Sequence, residues 1–193
     1  MLLMRIILVF LLDVGCLALG QECFAANRNP RIEVLVQNAD AYGKQGNFAV
    51  ALQLYEQAIR MSPGDLELYY RRAGVYGDAG HYVKAIKDLN QVINRGGGKF
   101  SHAIRFRADC FMALGYYQQA VSDYLAFLRV APKDGKVWSY LVEAYALMGQ
   151  KQLALQAVNK GLATQSHWSG KLKKLQVQVM TGQRIKPHKP FSN

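Results

Sequence analysis

The feature that most constrains this chain is a period. Gly46, Gly80, Gly115 and Gly149 stand 34, 35 and 34 residues apart, and Ala51, Ala85, Ala120 and Ala154 repeat those spacings. So do the aromatics Tyr42, Tyr76, Phe111 and Tyr145. A fourth series runs Pro63, Gly97, Pro132 and Ser166. Four residue classes in one register describe one supersecondary unit written four times. Units of this length bury their apolar face only by stacking on their neighbours.

Within each half-unit the apolar residues recur at three and four, which is helical periodicity. The glycine ends the first helix because it tolerates a left-handed backbone. Paired alanines, Ala39 with Ala51 and Ala73 with Ala85, let two antiparallel helices approach closely, and the aromatics fill the space beside them. Pro63 and Pro132 close their units because proline cannot continue a helix. Gly96-Gly97-Gly98 holds the one extra residue of the 35-residue period. It reads as a longer turn or as a softened joint between two halves, and the sequence leaves both open.

One internal correlation assigns four charged residues. The seventh positions of the units are Asn38, Arg72, Arg107 and Leu141, and sixteen residues further on stand Leu54, Asp88, Asp123 and Ala157. Arginine occurs where aspartate does. In a hairpin these positions face each other, so Arg72–Asp88 and Arg107–Asp123 are expected to be partly buried ion pairs within repeats. Such pairs add little net stability, but losing one partner strands a charge.

The motif Ala-x-x-aromatic-x-x-x-Gly-x-aromatic-x-x-Ala reads Ala73 to Ala85 in the second unit and Ala108 to Ala120 in the third. It resembles the tetratricopeptide repeat family over about residues 30–167. The resemblance implies an all-α, right-handed α-solenoid of four antiparallel helix hairpins, at 32–65, 66–99, 101–134 and 135–168. The fourth unit departs from the pattern, with Val142 at a small position and Lys151 at the second aromatic position, as a terminal unit would. Trp168, Leu172, Leu175 and Val179 recur at helical spacing, so a capping helix is expected over 168–182 and a flexible basic tail over 183–193.

The resemblance also implies a concave groove lined by the first helix of each unit. The positions that usually face it hold Gln37, Asp40, Tyr70, Arg71, Arg105, Phe106, Asp109, Tyr140 and Glu143. Aromatics beside arginines suit an extended peptide or a helix laid in a groove. Some members of the family clamp a C-terminal carboxylate with Lys and Asn. Here the corresponding places hold Val36, Asp40 and Arg71, so that clamp is not expected.

The first residues read as an address. A basic start ending at Arg5, the apolar run Ile6 to Leu12 and the small residues Gly20, Cys23, Ala25 and Ala26 follow the order of a secretory signal peptide over 1–25. A membrane anchor is weakened by Asp13. A lipid-anchor motif ending at Cys16 is also weakened, because Asp13 sits where an aliphatic residue belongs. Cleavage would remove one cation and two acids, taking the formal charge from +11 to +12. It would also leave Cys110 as the one thiol, expected in the core.

Catalysis is not expected. The sequence contains no nucleophile elbow, phosphate-binding glycine loop or zinc-ligand spacing. His81, His102, His167 and His188 are far apart and read as turn or surface residues, and the acids are scattered. No cofactor or metal is expected. After Glu143 the chain has no acid but eight cations, among them Lys171, Lys173, Lys174, Arg184, Lys186 and Lys189. That end would attract an anionic surface. Nucleic acid is disfavoured because no stacking array or nucleic-acid module accompanies the charge. The sequence therefore points to a monomeric, non-enzymatic adaptor outside the cytoplasm, most simply in a periplasm. It would hold a peptide or partner subunit of a secretion, pilus or outer-membrane assembly. The alternative is a binder of lipid headgroups or cell-wall polyanion through the Lys-rich end.

Overall fold

The structure, a computed structural model, describes residues 29–188. The expected signal peptide and Lys189 lie outside the described residues. Among those described, nine α-helices and one 3-10 turn follow each other, with no strand. They are α1 (Pro30–Lys44), α2 (Phe48–Met61), α3 (Leu66–Asp78), α4 (Tyr82–Gly96), α5 (Ser101–Ala113), α6 (Tyr117–Val130), α7 (Gly135–Leu147), α8 (Lys151–Ala163) and α9 (Ser169–Thr181). Helices pair as α1/α2, α3/α4, α5/α6 and α7/α8, each pair stacks on the next, and α9 covers α7 and α8. This is an all-α helical-repeat solenoid.

Each hairpin turns by the same device. Gly46, Gly80, Gly115 and Gly149 adopt φ of +78°, +76°, +78° and +72°. The next N–H then reaches back to the aromatic carbonyl, as in Asn47 to Tyr42 at 2.8 Å and His81 to Tyr76 at 2.7 Å, which closes the last helical carbonyls. Between repeats, Pro63 and Pro132 are followed two residues later by Asp65 and Asp134. These carboxylates accept from Glu67 N–H at 3.1 Å and Val137 N–H at 3.0 Å and so start the next helix.

The small residues are where close helix approach needs them. Ala39, Ala51, Ala73, Ala85, Ala108, Ala120 and Ala154 are wholly buried, and so is Val142 in the terminal unit. Cys110 is buried too, and burial followed by the charge of Asp109 pushes its thiol pKa up to about 12. It therefore stays protonated and packs as a small apolar group. Leu172, Leu175 and Val179 on α9 are buried against the last repeat.

The joint between the second and third repeats is a packed turn. Gly97–Phe100 forms the 3-10 helix. Gly96 carries no Cβ because one there would lie 2.5 Å from the Phe100 ring. Phe100 packs on the N-terminal core beside Tyr70. The buried residues form two clusters that meet at α5: Ala103 and Cys110 belong to the first, Ala108 and Met112 to the second.

Two arginines tie helices together. Arg72 donates to Asp88 from Nε at 2.7 Å and from Nη2 at 2.8 Å, and Arg107 does the same to Asp123 at 2.7 and 2.8 Å. Both carboxylates are buried. Arg107 also donates to Asn90 Oδ1 at 2.7 Å, so its guanidinium joins the third repeat to the second. These forked contacts leave neither guanidinium free for a ligand.

Candidate peptide-binding groove

The groove divides into an open half and a closed half. In the open half, Tyr70 and Phe106 stack with centroids 5.4 Å apart and planes 7° from parallel. Arg105 lies over the Phe106 ring at 4.6 Å. Arg71 donates to Glu67 on its own helix and to Asp40 of the preceding repeat, both at 2.8 Å. The Tyr55 hydroxyl donates to the same Asp40 carboxylate. Gln37 is exposed and donates weakly to Glu33 at 3.4 Å. Arg71 is exposed, while Tyr70 and Phe106 are half-buried and pack against the N-terminal core.

The closed half is built around the same pair one double repeat later. Tyr124 donates to Asp109 Oδ1 at 2.7 Å, with the same separation of fifteen residues as Tyr55 and Asp40. Arg105 donates to the other Asp109 oxygen at 3.1 Å. Glu143, the next residue in this register, lies on α7 beside Tyr140. Asp109, Tyr140 and Glu143 are all buried, because something covers them.

The cover is the chain's own C-terminal segment. Residues 183–188 do not form the flexible tail expected from the sequence. Gly182 adopts φ +70°, Gln183 N–H bonds the Gln178 carbonyl at 3.0 Å, and the chain turns back on itself. Ile185 then packs into the C-terminal core. His188 enters the groove and lies flat on Tyr140, with ring centroids 3.5 Å apart. Its backbone N–H and Nδ1 meet Glu143 Oε2 at 3.0 and 2.8 Å. Its Nε2 lies 3.3 Å from the Tyr124 hydroxyl and 3.4 Å from Asp109 Oδ1.

Both imidazole nitrogens therefore face acceptors, which suits the doubly protonated ring. Burial opposes that charge. The hydrogen bonds to Asp109 and Glu143, and the charges of those carboxylates, outweigh burial and hold the His188 pKa above the ordinary histidine value. Burial likewise works to raise the Glu143 pKa. The contacts of Glu143 with His188 and Lys171 overcome it and hold the carboxyl below the usual range. Burial and the nearby Asp109 push the Tyr124 hydroxyl pKa well up.

Two sequence expectations change here. His188 is not a surface histidine, and the acids are not all isolated, since Asp109 and Glu143 converge on one ring. Lys171, placed by sequence in the basic end, pairs with Glu143 Oε1 at 2.8 Å and belongs to the groove. Lys173, Lys174, Arg184 and Lys186 are exposed. Sequence reasoning missed Tyr55, Tyr124, Ile185 and His188. A signal was present for the tyrosines in the recurring Asp and Tyr fifteen residues apart. Gly182 stands 33 residues after Gly149 and repeats the turn spacing.

The tetratricopeptide repeat profile matches residues 36–98 and 107–167. The chain belongs to the tetratricopeptide repeat family. It is 28% identical over 159 residues to the tetratricopeptide repeat and J domain-containing co-chaperone DNJ1 of Cryptococcus neoformans. That match covers 82% of this chain and only 30% of the co-chaperone. The fold is similar to the crystal structure of MamA protein, with a TM-score of 0.66 at 16% identity over 78% of this chain and 87% of that one. It is also similar to the first TPR of Spaghetti (RPAP3) bound to HSP90 peptide SRMEEVD, with a TM-score of 0.59 at 21% identity over 63% of this chain and 96% of that one. Tetratricopeptide repeats are generally non-catalytic scaffolds for protein–protein contacts. Among the described residues no group of His, Cys, Asp and Glu could hold a metal ion.

Proposed function

We propose that this chain is a non-enzymatic adaptor that acts outside the cytoplasm and holds a peptide or partner subunit of an envelope assembly in its groove. The observation that carries the groove assignment is the stacked Tyr70–Phe106 pair with Arg71 and Arg105 beside it. Aromatic rings and arginines at the centre of a concave face are what binding hot spots are made of. Export is supported by the order of basic start, apolar run and small residues over 1–25. Among the described residues no helix is long and apolar enough to cross a membrane, so any anchor would come from outside them. The test is a pull-down from membranes with the wild type and with Tyr70→Ala plus Phe106→Ala. Loss of a specific partner supports the assignment, and an unchanged partner set removes it.

The alternative, an anionic surface bound by the Lys-rich end, is favoured by the exposed cations Lys173, Lys174, Arg184 and Lys186 at one end of the solenoid. Charge-driven binding to anionic vesicles would fall steeply across a few hundred millimolar salt, whereas groove binding would tolerate it.

A further inference from the structure

The two acid–tyrosine pairs are equivalent positions of the repeat, yet each obtains its cation differently. Asp40 with Tyr55 receives Arg71 from the next repeat. Asp109 with Tyr124 has Tyr140 in the place of Arg71 and takes Arg105 from its own helix at 3.1 Å, through Oδ2 alone. The aromatic ring that replaces the arginine instead becomes the platform for an imidazole from elsewhere. A carboxylate on each side and an aromatic face below form a cation site, since each charge-assisted contact gains from the absence of water. The groups that face it are Asp109 and Arg105 on α5, Tyr124 on α6, Tyr140, Glu143 and Lys136 on α7, and Lys171 on α9.

The occupant is held at two points. Among the described residues of the tail, Ile185 and His188 make the contacts, while Lys186 and Pro187 between them are exposed. A segment joined to its site in cis competes at an effective concentration of about a millimolar. It excludes weak ligands and yields to better ones.

We propose that the pocket of Asp109, Tyr124, Tyr140 and Glu143 recognises a cationic residue of an extended basic peptide that carries an apolar residue three positions earlier. The chain's own Ile185–His188 segment occupies the pocket until such a peptide displaces it. This rests on the scaffold reading and gives its partner a chemistry. An acidic side chain on the Tyr140 ring would have Asp109 Oδ1 and Glu143 Oε2 on either side, where the imidazole nitrogens now sit, and is disfavoured there.

The test uses the full chain and two fluorescein-labelled hexapeptides followed by anisotropy near pH 6. One peptide is the chain's own sequence from Arg184 to Lys189, and the other has Arg in place of the His. Binding to the variant Ile185→Ala plus His188→Ala, whose pocket is free, is expected to be at least about tenfold tighter than to the wild type, because the wild-type site is populated in its open form only fractionally. Adding Glu143→Gln should abolish most of that gain. The Arg peptide should bind throughout pH 6–8, whereas the His peptide should weaken as the ring loses its proton. Equal affinity for wild type and tail variant, no binding to either, or equal binding of a peptide with Glu in the His place would each overturn the proposal. So would a dimer in sedimentation that the tail variant dissolves, since the tail would then be exchanged between copies. If the peptide arm fails while Tyr70 and Phe106 still govern capture, the pocket assignment falls and the scaffold reading stands. If Tyr70 and Phe106 do not matter but peptide competition holds, the open-half groove assignment falls instead.

Discussion

The two halves of the groove solve one electrostatic problem in opposite ways. Asp40 is half-buried, touches an arginine from the neighbouring repeat and stays accessible; the Arg71 and Asp40 side chains keep 39% and 35% of their surface. Asp109 and Glu143 keep only 4% and 3% and are enclosed by a histidine from the end of the chain. Three differences in the repeat register separate these outcomes: Tyr140 for Arg71, Glu143 for Gly74, and Arg105 for Val36. A site whose counter-charge is built into the scaffold can be left open. In the closed half Arg105 and Lys171 each answer one oxygen of Asp109 and Glu143, and the remaining oxygens take the histidine that the tail brings.

The comparison can be broken at several points. The largest effect is expected from the arginines beneath the groove. Arg107→Met leaves Asp123 buried without its cation and Asn90 without a donor, and should cost about 3–5 kcal/mol in urea unfolding. Arg72→Met strands only Asp88 and should cost about 1 kcal/mol less, the worth of one hydrogen bond. Equal costs would show that Asn90 does not couple the repeats.

Next come the two aspartates. Asp109→Asn keeps an acceptor for Tyr124 but removes the charge facing Arg105 and His188, and should cost about 2 kcal/mol, the range of hydrogen bonds to charged groups. Asp40→Asn makes the same change at a solvent-exposed pair and should cost about 1 kcal/mol or less. The reverse order would mean that the closed half is not the more strongly coupled one.

A smaller and pH-dependent effect belongs to the tail. The folded pKa of His188 is raised, so the stability it confers is complete below its ordinary value of 6.5 and is lost as pH rises through the folded value. The folded pKa of Glu143 is lowered, so its contribution is complete above 4.5 and is lost as pH falls through the folded value. The stability difference between wild type and His188→Ala should therefore be greatest between pH 4.5 and 6.5. A flat difference across pH 4–9 would place the imidazole outside the pocket. The smallest change in stability is expected from Tyr140→Arg, which gives the closed half the arginine of the open one. It should release the tail, seen as narrowed amide resonances at residues 185–188 by NMR, while moving Tm by only a few degrees.

Much of the architecture is legible in the sequence because repetition averages out local ambiguity. A single Gly inside a helical pattern says little. Four at one spacing, each followed by the same aromatic and alanine offsets, specify a turn and a close helix contact four times. The Arg72–Asp88 and Arg107–Asp123 expectation has the same basis, since two repeats carry both residues and two carry neither. The residues Gln37 to Glu143 expected from the family register do lie on the first helices of the hairpins. Tyr55 and Tyr124 sit on second helices, outside that register, and only their fifteen-residue spacing from Asp40 and Asp109 marks them. Their hydroxyls reach the groove only through the hairpin.

What the sequence by itself determines is therefore the periodic part: four hairpins, their turns, their buried alanines and their internal ion pairs. All of these follow from contacts between residues a fixed distance apart in one unit. What the tertiary structure alone decided is the state of the groove. His188 meets Glu143 across 45 residues and Tyr124 across 64, with no repeat register to announce the pairing. The contact exists because α9 ends in a left-handed glycine that aims the chain back at the concave face. Two acids and a bare tyrosine there offer the imidazole the partners that water would otherwise have supplied.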